Sequence, residues 1–428
     1  MKTINKISTN LIGLCILFAM LFSFQNQALA QDGNEKVIVL RGKLTDQNTK
    51  KPVVFANVYV TGTNIGTVSN SEGEFIIKVP NGSQSRTISV SYMGYKTLTM
   101  PVSNLKADGN NIILEPEPIT LKELIVRTND PVSLIRGAMR NVPQNYGTDP
   151  FLCTAFYREA IMQNRQYVGV AEAVLDVYKS RYTSENEIDR VKIFKGRKSQ
   201  DVKKMDTLVF KLQGGHQVAL LLDLAKNPQS FMTEETFNEY DYKPVTIGNI
   251  EGKDTYILEF TQKKGVEEPY YDGKIYLDVN SLAIKRIEFG LSPEGVEFAD
   301  KYLVKKKPTG TNVKTQSGVY VVDYRELNGR WTLNHVRYEV KFKVDKKRQL
   351  FNKIYTSTVD LAVTSKDTVN VSRFKYSESL KPSQIFIEQL DGGYDENFWG
   401  SYNIIKPEEP IEEAVERINK KMKKYQNI

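Results

Sequence analysis

The stretch from Gly62 to Val79, GTNIGTVSNSEGEFIIKV, predicts a turn followed by a β-strand. The segment 70–73 is a tight-turn signal, and after it Phe75, Ile77 and Val79 fall on one face of a strand. The stretch contains no Cys, no His and no obvious nucleophile. It therefore predicts a piece of sheet that serves binding or presentation.

Neighbouring runs repeat this alternation of apolar and polar residues. They are VIVLRGKL (37–44), VVFANVYV (53–60), TISVSYMGY (87–95) and IIL (112–114), with Gly, Asn and Pro between them. No stretch with a helical period interrupts the series. The pattern predicts an antiparallel β-sandwich over residues 37–115.

The residues of this region resemble a known family. The run from 40 to 80 and ISVSYMGYKT (88–97) are similar to the carboxypeptidase regulatory-like domain, a transthyretin-like sandwich of exported Bacteroidetes-type proteins. The specific elements are G-x-L-x-D at 42–46, A-N-V at 56–58, the S-N-S-E-G-E-F hairpin at 69–75 and Y-M-G-Y at 92–95. The resemblance implies a module that is not itself a peptidase and that also precedes the plug of many TonB-dependent outer-membrane receptors.

The first thirty residues predict a secretory signal peptide. Lys2 and Lys6 precede the apolar run 11–24, and an A-x-A site predicts cleavage between Ala30 and Gln31. The run is shorter than the ~20 residues of a spanning helix, and no later stretch is long and apolar enough to span. We expect an exported protein of the periplasm or the outer-membrane face, with residues 31–36 as its mature N-terminal segment.

The charge of the chain limits the classes of partner, and its cysteine content limits the disulfides that can form. The chain has 59 Lys and Arg against 51 Asp and Glu, in short scattered clusters typical of solvated loops. Nucleic acid is a poor partner for an exported protein, whereas peripheral attraction to an anionic membrane surface stays open. After cleavage Cys153 is the one remaining cysteine, so no internal disulfide is expected, and its apolar surroundings predict a buried thiol.

The second part of the chain predicts a helix followed by long hairpins. After a linker at 116–130, Asp130 caps a helix whose apolar stripe includes Leu134, Ile135 and Ala138, and Pro143 ends it. Later strands form hairpins, the clearest around Asn328-Gly329, whereas YVGVAEAVLDVYK (167–179) is ambiguous with a helix.

These elements predict a helix plus a curved antiparallel β-sheet domain over 131–380, and a tail over 381–428 with a helix at 412–424. The overall fold class is mainly β, with a sandwich followed by an α+β domain. At the level of architecture the second domain resembles the half-barrel of lipoprotein carriers such as LolA, which cradle acyl chains. NFWGSYNIIKPEEPIEEA (397–414) and FYREA (156–160) resemble a group of Bacteroidetes proteins with the same two-part organisation, and this resemblance transfers no catalytic residue.

The sequence contains no recognisable pattern of catalytic or metal-binding residues. His216 and His335 lack the spacing of a zinc peptidase; we expect His216 to cap or pack a helix and His335 to be solvated on the polar face of a strand. Glu267-Glu268 is the nearest carboxylate cluster, with an exposed loop as its default interpretation. We predict no catalytic residue, no metal and no cofactor.

Several functions remain open at this stage. The leading hypothesis is a non-enzymatic envelope protein whose sandwich contacts a protein partner, by edge-strand pairing, and whose second domain binds an apolar ligand or a partner chain. The alternatives are a glycan-binding or surface-assembly accessory protein and a hydrolase with a dispersed carboxylate pair. Trp331 is predicted to be partly exposed and Trp399 to anchor the tail.

Overall fold

The computed structural model describes the chain in segments that sample both predicted domains. These are residues 37–82, 86–117, 130–184, 187–200, 215–304, 309–346, 352–369, 371–391, 398–408, 411, 413 and 415–416. The predicted signal peptide, the cleavage point between Ala30 and Gln31, and segment 31–36 lie outside the described residues. So do most of the predicted linker and most of the predicted tail helix, of which Glu413, Val415 and Glu416 are described and helical.

The described residues are dominated by strands. The strands are β1 (Val37–Asp46), β2 (Asn57–Val60), β3 (Gly66–Val68), β4 (Glu74–Pro80), β5 (Thr87–Ser91), β6 (Leu98–Pro101), β7 (Asn110–Leu114), β8 (Phe151–Gln163), β9 (Gln166–Lys179), β10 (Arg190–Gln200), β11 (Tyr240–Tyr242), β12 (Thr246–Ile250), β13 (Lys253–Gln262), β14 (Tyr271–Asp278), β15 (Ile284–Leu291), β16 (Thr311–Leu327), β17 (Arg330–Lys346) and β18 (Lys353–Asp367). The helices are α1 (Pro131–Arg140), α2 (Val142–Tyr146), α3 (Gly215–Leu221), α4 (Pro293–Phe298) and α5 (Asp300–Leu303). The predicted fold class, a β-sandwich followed by an α+β domain, is confirmed.

The first domain is a sandwich of two small sheets. One has the strand order β4-β1-β7 and the other β3-β2-β5-β6. Phe75, Ile77 and Val79 are fully buried, as the alternation in the opening stretch predicts, and they pack with β1, β2 and β5 in one hydrophobic cluster. The core of this domain therefore lies between the two sheets.

The opening stretch does not form the expected hairpin. Strand β3 pairs with β2 and strand β4 pairs with β1, so the turn at 70–73 carries the chain from one sheet to the other. Asn70 Oδ1 accepts from the N–H groups of Glu72 and Glu74 at 3.0 and 2.8 Å. Gly73 has φ +75°, and a Cβ there would lie 2.6 Å from the carbonyl oxygen of Leu44, so glycine is required. A second departure from the purely antiparallel expectation is the parallel pairing of β1 with β7.

The second domain is built on one 11-stranded antiparallel sheet. The strand order is β10-β9-β8-β18-β17-β16-β15-β14-β13-β11, with β12 also paired to β13. The strand predicted last, IYTSTVDLAVTS (354–365), forms most of β18 and lies between β17 and β8. It therefore joins the beginning of the domain to its long hairpins.

The hairpin of β16 and β17 is confirmed at Asn328-Gly329. The φ angles of these residues are 51° and 73°, which is the pair of positive values that a type I′ turn needs. The two strands pair from Thr311 with Lys346 to Leu327 with Arg330. This turn fixes the register of the two strands near the turn, where Asp323 and Arg325 lie.

One face of the large sheet curls around its own helices. Residues from β10 at one end and β11 at the other join a single hydrophobic cluster with α1 and α3, and open sheets of about this many strands rarely stay flat. Asp130 caps α1 by accepting from the Ser133 N–H at 3.0 Å. The helix ends at Arg140, so the prediction that Pro143 ends it was wrong: Pro143 lies in the first turn of α2. We call this inner face the concave side.

Strands β8 and β9 are covered on both faces. Tyr157 belongs to the concave cluster, whereas Phe156 packs with Trp399 on the opposite side, which we call the convex side. Strands that are buried on both faces have nearly continuous apolar sequences. This explains why YVGVAEAVLDVYK was ambiguous with a helix, although it is a strand.

The sandwich and the tail segment 398–408 lie on the convex side. Trp399 is 4% exposed and meets the Phe156 ring edge-on at a centroid distance of 5.5 Å. Thr67 in β3 donates to the Ile404 carbonyl at 2.7 Å, and Asn403 exchanges hydrogen bonds with the backbone of Lys78 in β4. The opening stretch therefore contacts the tail, and the tail contacts the large sheet.

Within the described residues, none of the helices combines the length and the apolar character that crossing a bilayer requires.

We expect Trp399→Ala to lower the free energy of unfolding by about 3–5 kcal/mol, because it removes a buried indole between the tail and the sheet. Tyr376→Ala is the matched control, since that ring is 61% exposed. Urea denaturation compares the two, and limited proteolysis should show faster loss of the tail from the Trp399 variant. Equal effects of the two substitutions would show that the tail does not hold the domains together.

Candidate functional site: the cleft between the two domains

A cleft of about 220 Å³ lies where the sandwich meets the large sheet. The sandwich lines it from β2, from the end of β5 and from the segment that follows, and the sheet lines it from β13, β15, β16, β17 and the turn before β13. Its residues are Asn57, Tyr59, Ser91, Tyr92, Met93, Thr97, Ile250, Glu251, Lys253, Lys285, Arg286, Asp323, Tyr324, Arg325, Glu326 and Trp331. The lining is thus rich in charged and aromatic side chains.

A more open groove adjoins this cleft. It has a volume of about 660 Å³ and shares Lys253, Glu326 and Trp331 with the cleft. Asn145, Asn249 and several residues of the β14–β15 turn complete it. The two spaces together give room for a ligand that extends beyond the cleft itself.

The wall formed by β15 and β16 carries a buried ion pair. Register places Arg286 opposite Asp323, and its guanidinium lies 2.6 Å from Asp323 Oδ1 and 2.6 Å from Glu288 Oε1. Burial opposes the charge of Asp323, but Arg286 and His335 outweigh it and lower the pKa of Asp323 below its usual value. Both charged groups therefore stay ionised and fix this wall.

The floor of the cleft carries a second acid and a second base. Glu251 lies in the turn between β12 and β13, where it and Gly252 have φ angles of 56° and 73°. Burial raises the pKa of Glu251 and lowers the pKa of Lys285, and each partly offsets the shift of the other. Lys285 Nζ donates to the Ile250 carbonyl at 3.0 Å and to Thr255 Oγ1 at 3.1 Å.

Arg325 differs from the other cations of the cleft. Its guanidinium carbon lies 4.8 Å from the centre of the Tyr59 ring of the sandwich. In the part of the chain that the structure describes, its Nε atom is buried without a hydrogen-bond partner and the side chain makes no ion pair. Burial lowers the pKa of Arg325 from its usual value. Arg325 therefore lines the cleft with a guanidinium that no described residue pairs.

His335 lies beneath this wall, and its predicted exposure was wrong. It is 1% exposed, with Nε2 3.3 Å from Asp360 Oδ1 and Nδ1 3.9 Å from Asp323 Oδ2. Phe55 of the sandwich stacks on it at a centroid distance of 6.0 Å, and Arg337 lies 4.4 Å from the centre of the same Phe55 ring. The docked sandwich therefore covers a strand face that looks polar and solvated in sequence.

Among the other predicted residues, Trp331 lines the cleft, and His216, Cys153 and Glu267-Glu268 lie apart from it. His216 starts α3, is buried against Phe386, and burial lowers its pKa to about 4. Burial raises the pKa of the Cys153 thiol to about 12, as expected for an inert buried cysteine. Glu267-Glu268 lies in a loop, where Glu268 accepts from the Tyr302 hydroxyl at 3.2 Å. Trp331 is 7% exposed, so its predicted partial exposure was wrong, although it lines both the cleft and the groove.

The concave side holds buried charges that the sequence interpretation missed. Asp223 is fully buried and accepts from the hydroxyls of Tyr182 and Tyr324 at 2.8 and 2.9 Å, and its Oδ2 lies 2.8 Å from Lys179 Nζ. Burial opposes the charge of Lys179, but Asp189 and Asp223 outweigh it and raise its pKa. The signal in sequence was an acid within the apolar run QVALLLDLA (217–225), and its role is to tie α3 to the sheet.

Another buried acid faces the same interior. Glu159 is 1% exposed and accepts from the Tyr157 hydroxyl at 3.0 Å, and burial raises its pKa to about 7. A Cβ on Gly215 would lie 2.7 Å from the Tyr157 hydroxyl oxygen, so α3 approaches this pair closely. Among the described residues, no group of three or more His, Cys, Asp or Glu side chains is placed to hold a metal ion.

We expect His335 to make the stability of the domain contact depend on pH. Burial lowers the pKa of His335, but its hydrogen bond with Asp360 and the nearby negative charges of Asp360 and Asp323 outweigh burial and leave the pKa above 6.5. A raised folded-state pKa adds stability that is fully present below the unfolded-state value of about 6.5 and is lost as the pH rises through the folded-state pKa. Arg337 and Arg286, which neighbour the two aspartates, stay charged throughout.

Urea denaturation of the unaltered protein and of His335→Gln between pH 5 and pH 9 checks this expectation. The stability difference between them should be largest below pH 6.5 and should shrink as the pH rises. A difference that stays constant over this range would show that folding does not raise the pKa of His335.

Comparisons with known proteins agree with the sandwich. Over 98 residues the chain is 34% identical to the TonB-dependent receptor SusC of Bacteroides thetaiotaomicron. The aligned region covers 23% of this chain and 9% of the receptor. The chain thus spans less than a tenth of the length of that curated relative.

Two solved structures align with more than half of the chain at low similarity. A DUF1329 family protein from Desulfovibrio piger is 17% identical, with 58% of this chain and 99% of that chain covered and a TM-score of 0.24. A LolA superfamily protein from Nitrosomonas europaea is 12% identical, with 54% and 92% covered and a TM-score of 0.18. These TM-scores are too low to carry an argument.

A family model describes the sandwich. It matches residues 40–126 and is that of the CarboxypepD_reg-like domain. The match contains the turn at 70–73 and the two sandwich strands, β2 and β5, that line the cleft. The first domain of this protein is therefore a CarboxypepD_reg-like domain.

Proposed function

We propose that the protein is a non-enzymatic exported envelope protein that binds a small polar ligand in the cleft between its two domains. The observation that carries the proposal is the cleft itself, which both domains line with charged and aromatic side chains around a guanidinium that has no ion-pair partner among the described residues. Concave spaces with a few convergent polar groups are where small ligands bind. The predicted signal peptide and the domain's occurrence in exported proteins support the envelope location.

The concave side offers less support for the apolar ligand that we considered from sequence. Its aromatic residues pack on one another, for example Phe231 on Phe260 at a centroid distance of 4.2 Å. An apolar cavity there, lined by Cys153 and Leu361, has a volume of about 10 Å³. That is about the space of one water molecule, so an acyl chain would have to displace this packing.

The glycan-binding alternative gains from the composition of the cleft. Tyr59, Tyr92 and Trp331 supply aromatic surface, and Asn145 and Asn249 supply amides in the adjoining groove. Aromatic faces with amide and charged groups suit a hydroxyl-rich ligand. We therefore favour a saccharide-like body for the ligand.

Edge-strand pairing with a protein partner also has a place in the proposal. The tail occupies the outer edge of β4 through Asn403 and Lys78. The four-stranded sheet ends at β6, whose outer edge pairs with no strand in the described residues. Strand β6 is therefore the edge that we propose for a partner chain.

A hydrolase is the second candidate, because one specific observation favours it. Glu251 and Asp323 line the same cleft and their pKa values are shifted in opposite directions, as in an acid and a base. Asp323, however, is held by Arg286 at 2.6 Å and faces His335 with its other oxygen. Since this carboxylate is already paired, we place binding ahead of hydrolysis.

We expect Thr97→Trp to abolish ligand binding without unfolding the protein. Thr97 is exposed and lines the cleft, so an indole there fills the opening while the buried core stays intact. Native mass spectrometry of the mature protein, purified from an envelope fraction, should show a bound small molecule that the variant lacks. Thr99→Trp, also exposed and on β6 outside the cleft lining, is the control and should keep the ligand.

Three results would contradict the proposal. A clean unliganded mass for the unaltered protein, with no thermal stabilisation by a panel of neutral and acidic saccharides, would remove the binding function. Extraction of a lipid that the Thr97→Trp variant still binds would show that the ligand lies on the concave side instead of in the cleft. Turnover of a panel member that Glu251→Gln abolishes would favour the hydrolase.

A further inference from the structure

Of the cations that line the cleft, Arg325 is the one that no acid among the described residues neutralises. Arg286 is bound to Asp323 and Glu288, and Lys253 is 51% exposed and paired with Glu326. Lys285 is satisfied by a carbonyl, a hydroxyl and the nearby Glu251. Within the described residues Arg325 has only the face of Tyr59.

The Tyr59 contact leaves the hydrogen-bonding edge of Arg325 free. A guanidinium stacks through its plane and presents five N–H donors around its rim. Here the Nε donor is buried and unpartnered, and Nη1 lies close to β3, 3.5 Å from where a Cβ on Gly66 would stand. A half-buried charge with unfilled donors is costly unless an acceptor of opposite charge fills them.

We propose that Arg325 is the oxyanion receptor of the cleft, so that the ligand is a small hydroxyl-rich molecule carrying a carboxylate or a phosphate. This inference rests on the proposed binding function and names its ligand class. The rim of the guanidinium takes two oxygens of the anion side by side, which is the geometry that carboxylates and phosphates share. Tyr59 holds the arginine in place from the sandwich, so the receptor is complete only when the two domains are docked.

The rest of the cleft accommodates the uncharged body of such a ligand. Asn57, whose Oδ1 accepts from Asn334 at 2.6 Å, and Ser91 supply polar groups from the sandwich. Tyr92 and Trp331 supply aromatic surface. At about 220 Å³ the cleft is below the usual size of a drug-sized pocket, so it suits a ligand of about one sugar ring, with any further units in the groove.

Isothermal titration calorimetry with four probes tests the inference. The probes are glucuronate, glucose 6-phosphate, glucose and inorganic phosphate, each measured with the full mature chain at low and at high salt. We expect an anionic sugar to bind at least about tenfold more tightly than glucose, because a hydrogen bond to a charged group contributes about that factor. Salt should weaken this preference. If glucuronate binds more tightly, the anion is a carboxylate. If glucose 6-phosphate binds more tightly, the anion is a phosphate.

Three variants assign the effect to Arg325. Arg325→Gln should lower the affinity for the anionic sugar to that for glucose, and Arg325→Lys should fall between, since it keeps the charge and loses the fork. Lys274→Gln removes an exposed, paired cation of the same sheet that lies outside the lining of the cleft and the groove, and its affinity should stay within about twofold. The melting temperature of Arg325→Gln should not fall, because removing an uncompensated charge does not cost stability as removing a structural ion pair does.

The outcomes separate this inference from the proposed function. Equal binding of glucose and the acids, unchanged in Arg325→Gln and lost in Thr97→Trp, would overturn the anion receptor and keep the binding cleft. Two observations together would show that Arg325 is structural: Arg325→Gln unfolds, and Arg325→Lys binds the anion as well as the unaltered protein does. They would overturn the bidentate role of its guanidinium. Binding of none of the four probes would also overturn it, and native mass spectrometry would then decide the proposed function alone.

Discussion

The buried ion pair between Arg158 and Glu172 is the constraint on which the arrangement of the two domains depends. Arg158 is 2% exposed, its Nε donates to Glu172 Oε1 at 2.8 Å, and its Nη2 donates to the Ile405 carbonyl at 2.7 Å. Arg197 approaches the other oxygen of Glu172 at 2.7 Å and lies over the Trp399 ring. Two strands of the large sheet thus hold the tail, and the tail holds the sandwich. Separating a buried ion pair of this kind would leave an uncompensated buried charge, which is strongly destabilising. The pair and its bond to the Ile405 carbonyl therefore fix where the tail lies.

Much of the local structure could be predicted from sequence because it depends on neighbours in the chain. The alternation of Phe75, Ile77 and Val79 gives a strand face, and Asn328-Gly329 gives a hairpin, whatever else the protein does. The parallel pairing of β1 with β7 could not be predicted in this way, because alternation identifies a strand without its partner. The same holds for β18, which lies between β17 and β8 although β8 is near the start of the domain.

The cleft was beyond the reach of the sequence for a similar reason. Tyr59 and Arg325 are far apart in the chain and meet because the sandwich docks on the convex side. His335 was predicted to be solvated because its strand alternates polar with apolar residues, and alternation normally marks one wet face. Here Phe55 covers that face. The polar residues of β17 therefore predicted a surface correctly and missed that a second domain occupies it.

A binding site made from two docked domains differs physically from one enclosed within a single core. The concave side is filled with its own aromatic rings, and the large residues there stabilise the sheet by excluding water. At the domain contact, polar groups from two separate surfaces meet and can pair with each other, as Asn57 and Asn334 do. Where such pairing is incomplete, as at Arg325, the unsatisfied donor is held in place by the folds on both sides. The same docking that leaves this charge unpaired also shields it from bulk water, which strengthens its attraction for an anion. Affinity for a charged ligand is thus coupled to the contact between the domains, and loosening the tail would weaken the site without altering any residue that lines it.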